Sequence, residues 1–492
     1  MMDTFSTLSP SNPWAGFPAE FYTQVKPQPL QQHPRILHLN QALAAEWGWP
    51  SERLADPAWL DIMAGRLPLP GVDPIATVYS GHQFGVWAGQ LGDGRAHLLG
   101  EISTPEGPVE LQLKGSGRTP YSRMGDGRAV LRSTVREYLA SEAMHGLGIP
   151  TTRALGMVVS DDPVYRETVE TAAIILRTSP SFVRFGTFEH FARQPDHLKV
   201  LLDHVIDRFY PDCRRTAAGD AASQPDVVLC FLEQVARRTA RLIAQWLTVG
   251  FCHGVMNTDN MSVLGLTIDY GPYGFMDAFQ ANHICNLTDT QGRYAWHAQA
   301  SVAYWNLHRL AGSLMALGPS SDELKQAITP YEAEFLDSYR QRMLAKLGLQ
   351  HWQPDDDTLM DNWWRLLHEN RSDFTLSFLR LAEAPEHPDT FISYFDDGEA
   401  ARNWLDAYRA RVDAEGQPIS QRRQQMQAVN PVYVLRNHLA QQAIDAAERG
   451  DASEIDTLLS LLRYPFAARP GFEAYAQPPA PDEAVAALSC SS

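Results

Sequence analysis

The segment FCHGVMNTDNMSVLGLTIDYGPYGFMD, residues 251–277, holds the densest set of side chains able to do chemistry. His253 leads it, Asn260 follows, and Asp269 stands after an apolar run of Val263, Leu264, Leu266 and Ile268. A carboxamide oxygen and a carboxylate are hard donors, and two of them with phosphate oxygens and water suit Mg²⁺. Asp259, immediately before Asn260, is a second carboxylate near the same place. Upstream, Lys114 ends the strand-like run VELQLK, and Glu137 comes 23 residues later in a helical pattern. A lysine that holds phosphates needs a partner carboxylate, since an unpaired ammonium in a cleft is costly and mobile. Either residue alone would read as a surface charge; the apolar run leading into Lys114 is what joins them.

Three further stretches offer phosphate contacts. In GQLGDGRAHLLGE, Gly92 and Gly94 let backbone amides come close to a phosphate and Arg95 adds charge, although glycine-rich hairpin turns look the same. In RTPYSRMGDGRAVLRS, Asp126, Gly127 and Arg128 form a loop that either caps a nucleotide or opens the next helix. Arg177 and Arg184, seven positions apart after a strand-like run, are placed to share a polyphosphate or to make ordinary surface ion pairs.

These residues need a scaffold. From 76 to 177, the runs HQFGVWAG, RAHLLGEI, VELQLK and AAIILR alternate with glycine-rich turns and predict a small sheet. Between the third and fourth runs, Val130, Leu131, Val135, Leu139 and Met144 recur at helical spacing, so one helix is embedded in the sheet. Helical patterns follow over 196–209, 227–249, 300–316, 322–347, 358–382, 399–413 and 432–463. Residues 1–75 are rich in Pro and Trp and read as an irregular extension with one helical patch at 41–47. The expectation is an α+β, protein-kinase-like two-lobed fold: an N-terminal extension (1–75), an N-lobe (76–180), a C-lobe with the catalytic loop (181–320) and additional C-terminal helices (321–492). In kinase loops a His precedes the base Asp by two residues and a metal-binding Asn by seven, with a second metal-binding Asp beyond. His253, Asn260 and Asp269 keep that pattern, but the base position is Val255. A valine accepts no proton, which argues against ordinary phosphoryl transfer.

Composition sets the broad class. The 492 residues carry 44% hydrophobic and 20% charged side chains, as ordinary globular proteins do. No run reaches the roughly 20 apolar residues of a membrane span, and the N-terminus lacks a basic stretch followed by an apolar one, so a cytoplasmic protein is expected. The net charge of -17 excludes a general nucleic-acid binder. Five cysteines in no metal-ligand spacing predict buried, reduced thiols rather than a disulfide framework.

The blocks GDGR, LQLKGSGRTPYSRMGDGRAVLRS, HGVMNTDNMS and YGPYGFMD together resemble the selenoprotein O family of protein nucleotidyltransferases, across nearly the whole chain. The resemblance implies a pseudokinase that binds ATP flipped, so that the α-phosphate faces the acceptor. AMP would pass to Ser, Thr or Tyr hydroxyls of proteins, and pyrophosphate would leave. It implies nucleotide contacts from Gly92, Gly94, Arg95, Lys114, Asp126, Gly127, Arg177, Arg184 and Asp269. Asn260 and Asp269 would hold Mg²⁺, or Mn²⁺, and Asp259 would accept the proton or orient the metal. It also sets Cys490 where other members carry selenocysteine, with Cys285 as its expected disulfide partner. ATP and hydroxyl-bearing proteins are the expected partners, with neither nucleic acid nor membrane. UMP transfer from UTP with Mn²⁺, an ordinary kinase and an inactive ATP-binding scaffold are the competing readings.

Overall fold

The computed structural model describes residues 8–215 and 219–483. Its first half is strand-rich: β1 (Tyr22–Gln24), β2 (Arg35–Leu39), β3 (Ile75–Thr77), β4 (Ser80–Gln83), β5 (Val86–Gln90), β6 (Ala96–Thr104), β7 (Gly107–Lys114), β8 (Ala129–Val130), β9 (Arg153–Tyr165) and β10 (Val169–Ser179). All but β4 and β5 form one sheet in the order β1-β3-β6-β7-β10-β9-β2, with β8 also on β10. β4 and β5 make a separate hairpin, and the short pair β11 (Phe251–Cys252) and β12 (Gly274–Phe275) brackets the segment richest in chemistry.

Period-two alternation divides the sheet into two faces. Ala172, Ile174 and Leu176 of β10 pack with Leu111 and Leu113 of β7 in one core. Ala173 and Ile175 belong to the other, against the embedded helix Leu131–Gly146. Gln112 and Lys114 of β7 and Arg177 of β10 therefore fall on the helix side, where Arg177 donates to Gln112. Alternation alone brings these polar groups together.

The first 75 residues correct the expectation of an irregular extension. β1 and β2 form the two edges of the sheet, and helices Gln41–Glu46, Ser51–Leu54 and Ala58–Met63 cover its outer face with Trp47, Trp49 and Trp59. Strands of three and five residues leave no alternation long enough to read. The run HQFGVWAG proves to be two strands, turning at Phe84 and Gly85, which have φ of 51° and 82°.

Helices make up the second half. The long pattern at 322–347 splits into Ser321–Ile328 and Pro330–Leu347, because Pro330 donates no backbone hydrogen bond and suits a first helical position. Asp373 caps a new helix, Phe374–Glu383, within the pattern at 358–382. The pattern at 432–463 becomes Asn437–Glu448 and Ser453–Leu462. Helix Ile419–Gln427 is almost wholly polar and left no periodic signal. The mixed helix and sheet are those of an α+β protein. Among the described residues, no helix is long and apolar enough to cross a membrane.

The cysteines depart from the sequence expectation. Cys213 and Cys230 are joined in a disulfide between the turn Pro211–Arg214 and helix Gln224–Thr248, whose Cα atoms lie 5.5 Å apart. No spacing rule anticipates it, since the pairing depends on how a turn meets a helix. Cys252 and Cys285 are free and buried. Cys490 lies outside the described residues, and so does its expected bond to Cys285.

Candidate active site

Glu137 and Asp269 face three buried cations. Lys114 Nζ lies 2.6 Å from Glu137 Oε2 and 3.2 Å from Asp269 Oδ1. Arg177 Nη1 reaches Glu137 Oε1 at 3.1 Å and Asp269 Oδ1 at 2.6 Å, and Arg184 Nη1 reaches Asp269 Oδ2 at 2.6 Å. Each comes from a different element: the end of β7, the end of β10 and the residue before helix Phe185–Phe191. Burial pushes the Asp269 carboxyl up, but Arg184, Lys114 and Arg177 outweigh it and hold the group well below the usual carboxylate range. Burial lowers Lys114 against the pull of Glu137 and Asp269. Asp269 has a φ of 57°, a conformation Asp tolerates better than most residues. His253 supports that turn from beneath, its Nε2 2.9 Å from the Ile268 carbonyl oxygen.

Three cations against two carboxylates leave a net positive charge, and it opens into a cavity of about 410 Å³. Gly92, Gly94 and Arg95 line it together with Asp126, Gly127 and Arg128. Asn260, Asp269 and Val255 line it as well. The glycines do more than admit a ligand: a Cβ on Gly92 would sit 2.5 Å from the Tyr121 ring, and one on Gly127 2.2 Å from the Gly117 carbonyl carbon. Both have positive φ, so the two glycine-rich loops pack in a way that only glycine allows.

Asp259 is the exception. It does not line this cavity, but Arg184, which does, donates from Nη1 to its backbone oxygen at 2.7 Å. Gln83 Nε2 donates to its Oδ2 at 3.1 Å, whereas the buried Oδ1 accepts no hydrogen bond from the protein. Burial pushes its carboxyl up to about 6, against the Gln83 hydrogen bond and Arg184. Asn260 Nδ2 donates to the Val255 carbonyl oxygen at 3.0 Å, fixing the carboxamide. The Asn260 and Asp269 oxygens, on residues that line the cavity, are hard donors of the kind that suits a magnesium-like cation completed by phosphate oxygens.

A family model described as "Protein adenylyltransferase SelO" matches residues 5–463. The chain belongs to the SelO family. It is 58% identical to "Protein nucleotidyltransferase YdiU" of Bordetella petrii, over 99% of both chains. Proteins of that name from Ralstonia nicotianae and Cupriavidus metallidurans are 50% and 49% identical over 96% of this chain, covering 93% and 89% of their own lengths. As a SelO-family member the chain is a nucleotidyltransferase.

This SelO-family chain also uses residues that its sequence patterns did not reveal. Arg166, at the β9–β10 turn, grips Asp126 in a fork at 2.7 and 3.0 Å, and this bond lowers the Asp126 carboxyl. Tyr79 lies under Arg184, its ring centroid 4.6 Å from the guanidinium carbon. Gln83 comes from the hairpin β4–β5, 176 positions from the carboxylate it orients. None has a local motif. Only the pattern of a polar side chain in a hairpin next to a glycine-rich turn could have drawn attention to Gln83.

Proposed function

We propose that the chain transfers AMP from ATP to Ser, Thr or Tyr hydroxyls of proteins and releases pyrophosphate, on a kinase-like two-lobed scaffold. One observation carries the reading: the place where a phosphoryl-transferring loop needs its carboxylate is Val255, which lines the cavity, while Asp259, four residues on, keeps a carboxylate oxygen with no hydrogen-bond partner in the protein. Lys114, Arg177 and Arg184 bind the β- and γ-phosphates by charge-assisted hydrogen bonds. That leaves the α-phosphorus on the Asp259 side. The acceptor hydroxyl oxygen forms a bond to the α-phosphorus, the bond to the pyrophosphate oxygen breaks, and the hydroxyl proton passes to Asp259. Asn260 and Asp269 would hold Mg²⁺ or Mn²⁺, which when bound neutralises phosphate charge in the transition state.

Intact-mass spectrometry of an acceptor protein after incubation with Mg²⁺ and ATP tests this. The added mass should be that of AMP and should vanish with Asp259→Asn. Addition of a phosphate mass would mean an ordinary kinase.

A further inference from the structure

The hairpin β4–β5 has two working sides. One seats the turn that carries Asp259: His82 N donates to Thr258 Oγ1 at 2.7 Å, next to the Gln83 bond. The other faces solvent, with Val86 70% and Trp87 50% exposed. The Trp87 and His82 ring centroids are 5.0 Å apart, those of His82 and Trp305 5.4 Å, and the guanidinium carbons of Arg293 and Arg309 lie 4.7 and 4.9 Å from the Trp305 ring.

Beside this aromatic cluster a cleft of about 640 Å³ opens between the hairpin, helix Phe185–Phe191 and helix Gln299–Leu314. Its rim carries Arg193 and Arg309, both exposed. Among the described residues, neither makes an ion pair. The carboxylate in the lining, Glu189, is answered by His82 Nδ1 at 2.6 Å. A chain of net charge -17 repels anions over most of its surface, so an aromatic cleft whose two arginines make no ion pair among the described residues is a local exception.

We propose that this cleft docks an acidic, extended segment of the acceptor protein next to the hydroxyl that is modified. Arg193 and Arg309 pair with its carboxylates and Trp87 packs on its apolar atoms. The proposal rests on Asp259 being the acceptor-side base, because the hairpin joins cleft and carboxylate directly. So few cations cannot hold a nucleic-acid backbone against the charge of the whole chain, which favours a protein segment.

Fluorescence anisotropy on the full chain without nucleotide decides it, using a serine peptide flanked by Asp and Glu and its counterpart flanked by Lys. The acidic peptide should bind about tenfold or more tighter, and the pair Arg193→Glu with Arg309→Glu should erase that preference. The pair Arg365→Glu with Arg402→Glu, equal in charge but elsewhere, should keep it. Equal binding of the two peptides, equal losses in the two pairs, or tighter binding of a single-stranded oligonucleotide of matched charge would overturn the proposal. Peptide binding is read apart from chemistry, so absence of AMP transfer alongside the predicted binding would count against the reaction and not against the cleft.

Discussion

Glu137 neutralises two cations at once, Lys114 and Arg177, and its removal leaves both buried with only Asp269 between them. Breaking a buried charge pair from one side typically costs about 3–5 kcal/mol, because the remaining charge stays desolvated. Glu137→Gln should therefore lower thermal stability and reduce nucleotidyl transfer about a hundredfold, through displacement of Lys114 and Arg177 from the phosphates. Calorimetry and transfer rates on the same preparation would show both, and near wild-type values would mean that Asp269 alone positions the cations. At this scale much was legible. The site residues fall in short contiguous motifs, and Lys114, Arg177, Asn260 and Asp269 came from them directly. Arg166, Tyr79 and Gln83 did not, because each reaches the site through a tertiary approach with no fixed sequence offset.

Elements hold those residues in place, and the helix Leu131–Gly146, which carries Glu137, is gripped from outside by helices of the C-terminal region. Arg136 donates to Tyr273 O at 2.8 Å and to Asn437 Oδ1 at 3.2 Å, linking the helix to both the β12 turn and helix Asn437–Glu448. Its last residue, Gly146, lies so close to helix Ser453–Leu462 that a Cβ would stand 1.9 Å from Leu462 O. Helix propensity alone makes Gly146→Ala favourable by about 1 kcal/mol. The contact reverses the sign: the variant should melt at a lower temperature than the wild type, and a higher melting temperature would show that the two helices do not press together. A second test lies in helix Pro330–Leu347. Lys346 Nζ donates to Asn430 Oδ1 at 2.7 Å and lies 4.0 Å from the Phe378 ring centroid, and burial, with Arg342 nearby, lowers its ammonium to about 7. Between that value and the ordinary lysine value of about 10.4 the unfolded chain holds more protons than the folded one, so folding stability rises with pH across this window. Denaturant titrations should show that rise in the wild type and its loss in Lys346→Met; parallel curves would mean a solvated ammonium. Of the elements, the longer amphipathic helices were legible by period, whereas the short helices Ala58–Met63 and Phe185–Phe191, the polar helix Ile419–Gln427 and the capping or proline breaks were not. β9 was hidden because its SDDP stretch has turn composition, and the chain continues through it with a register shift between Thr171 and Ala173 on β10.

Across the whole molecule, the C-terminal helices and the N-terminal segment both lock onto the site's scaffold. Arg436, buried, pairs with Asp373 at 2.7 Å and with Asp277, the last residue of the segment that holds Asn260 and Asp269. At the other end, Arg463 bonds Asn40 and lies 3.8 Å from Glu142 of the embedded helix, and His38 Nε2 lies 2.8 Å from Asp456 Oδ1. Residues more than 400 positions apart thus close around one helix. Such closures carry no local signature, which is why the sequence suggested only an irregular extension and additional helices at the two ends. The central claim concerns which phosphorus is attacked, and one measurement reaches it directly: incubation of the chain and an acceptor protein with Mg²⁺ and ATP labelled at either the α or the γ phosphate, beside Lys114→Ala and Asp269→Ala. Protein-bound α label that both substitutions abolish is the predicted result; γ label on the acceptor, or α label that survives both substitutions, would contradict it.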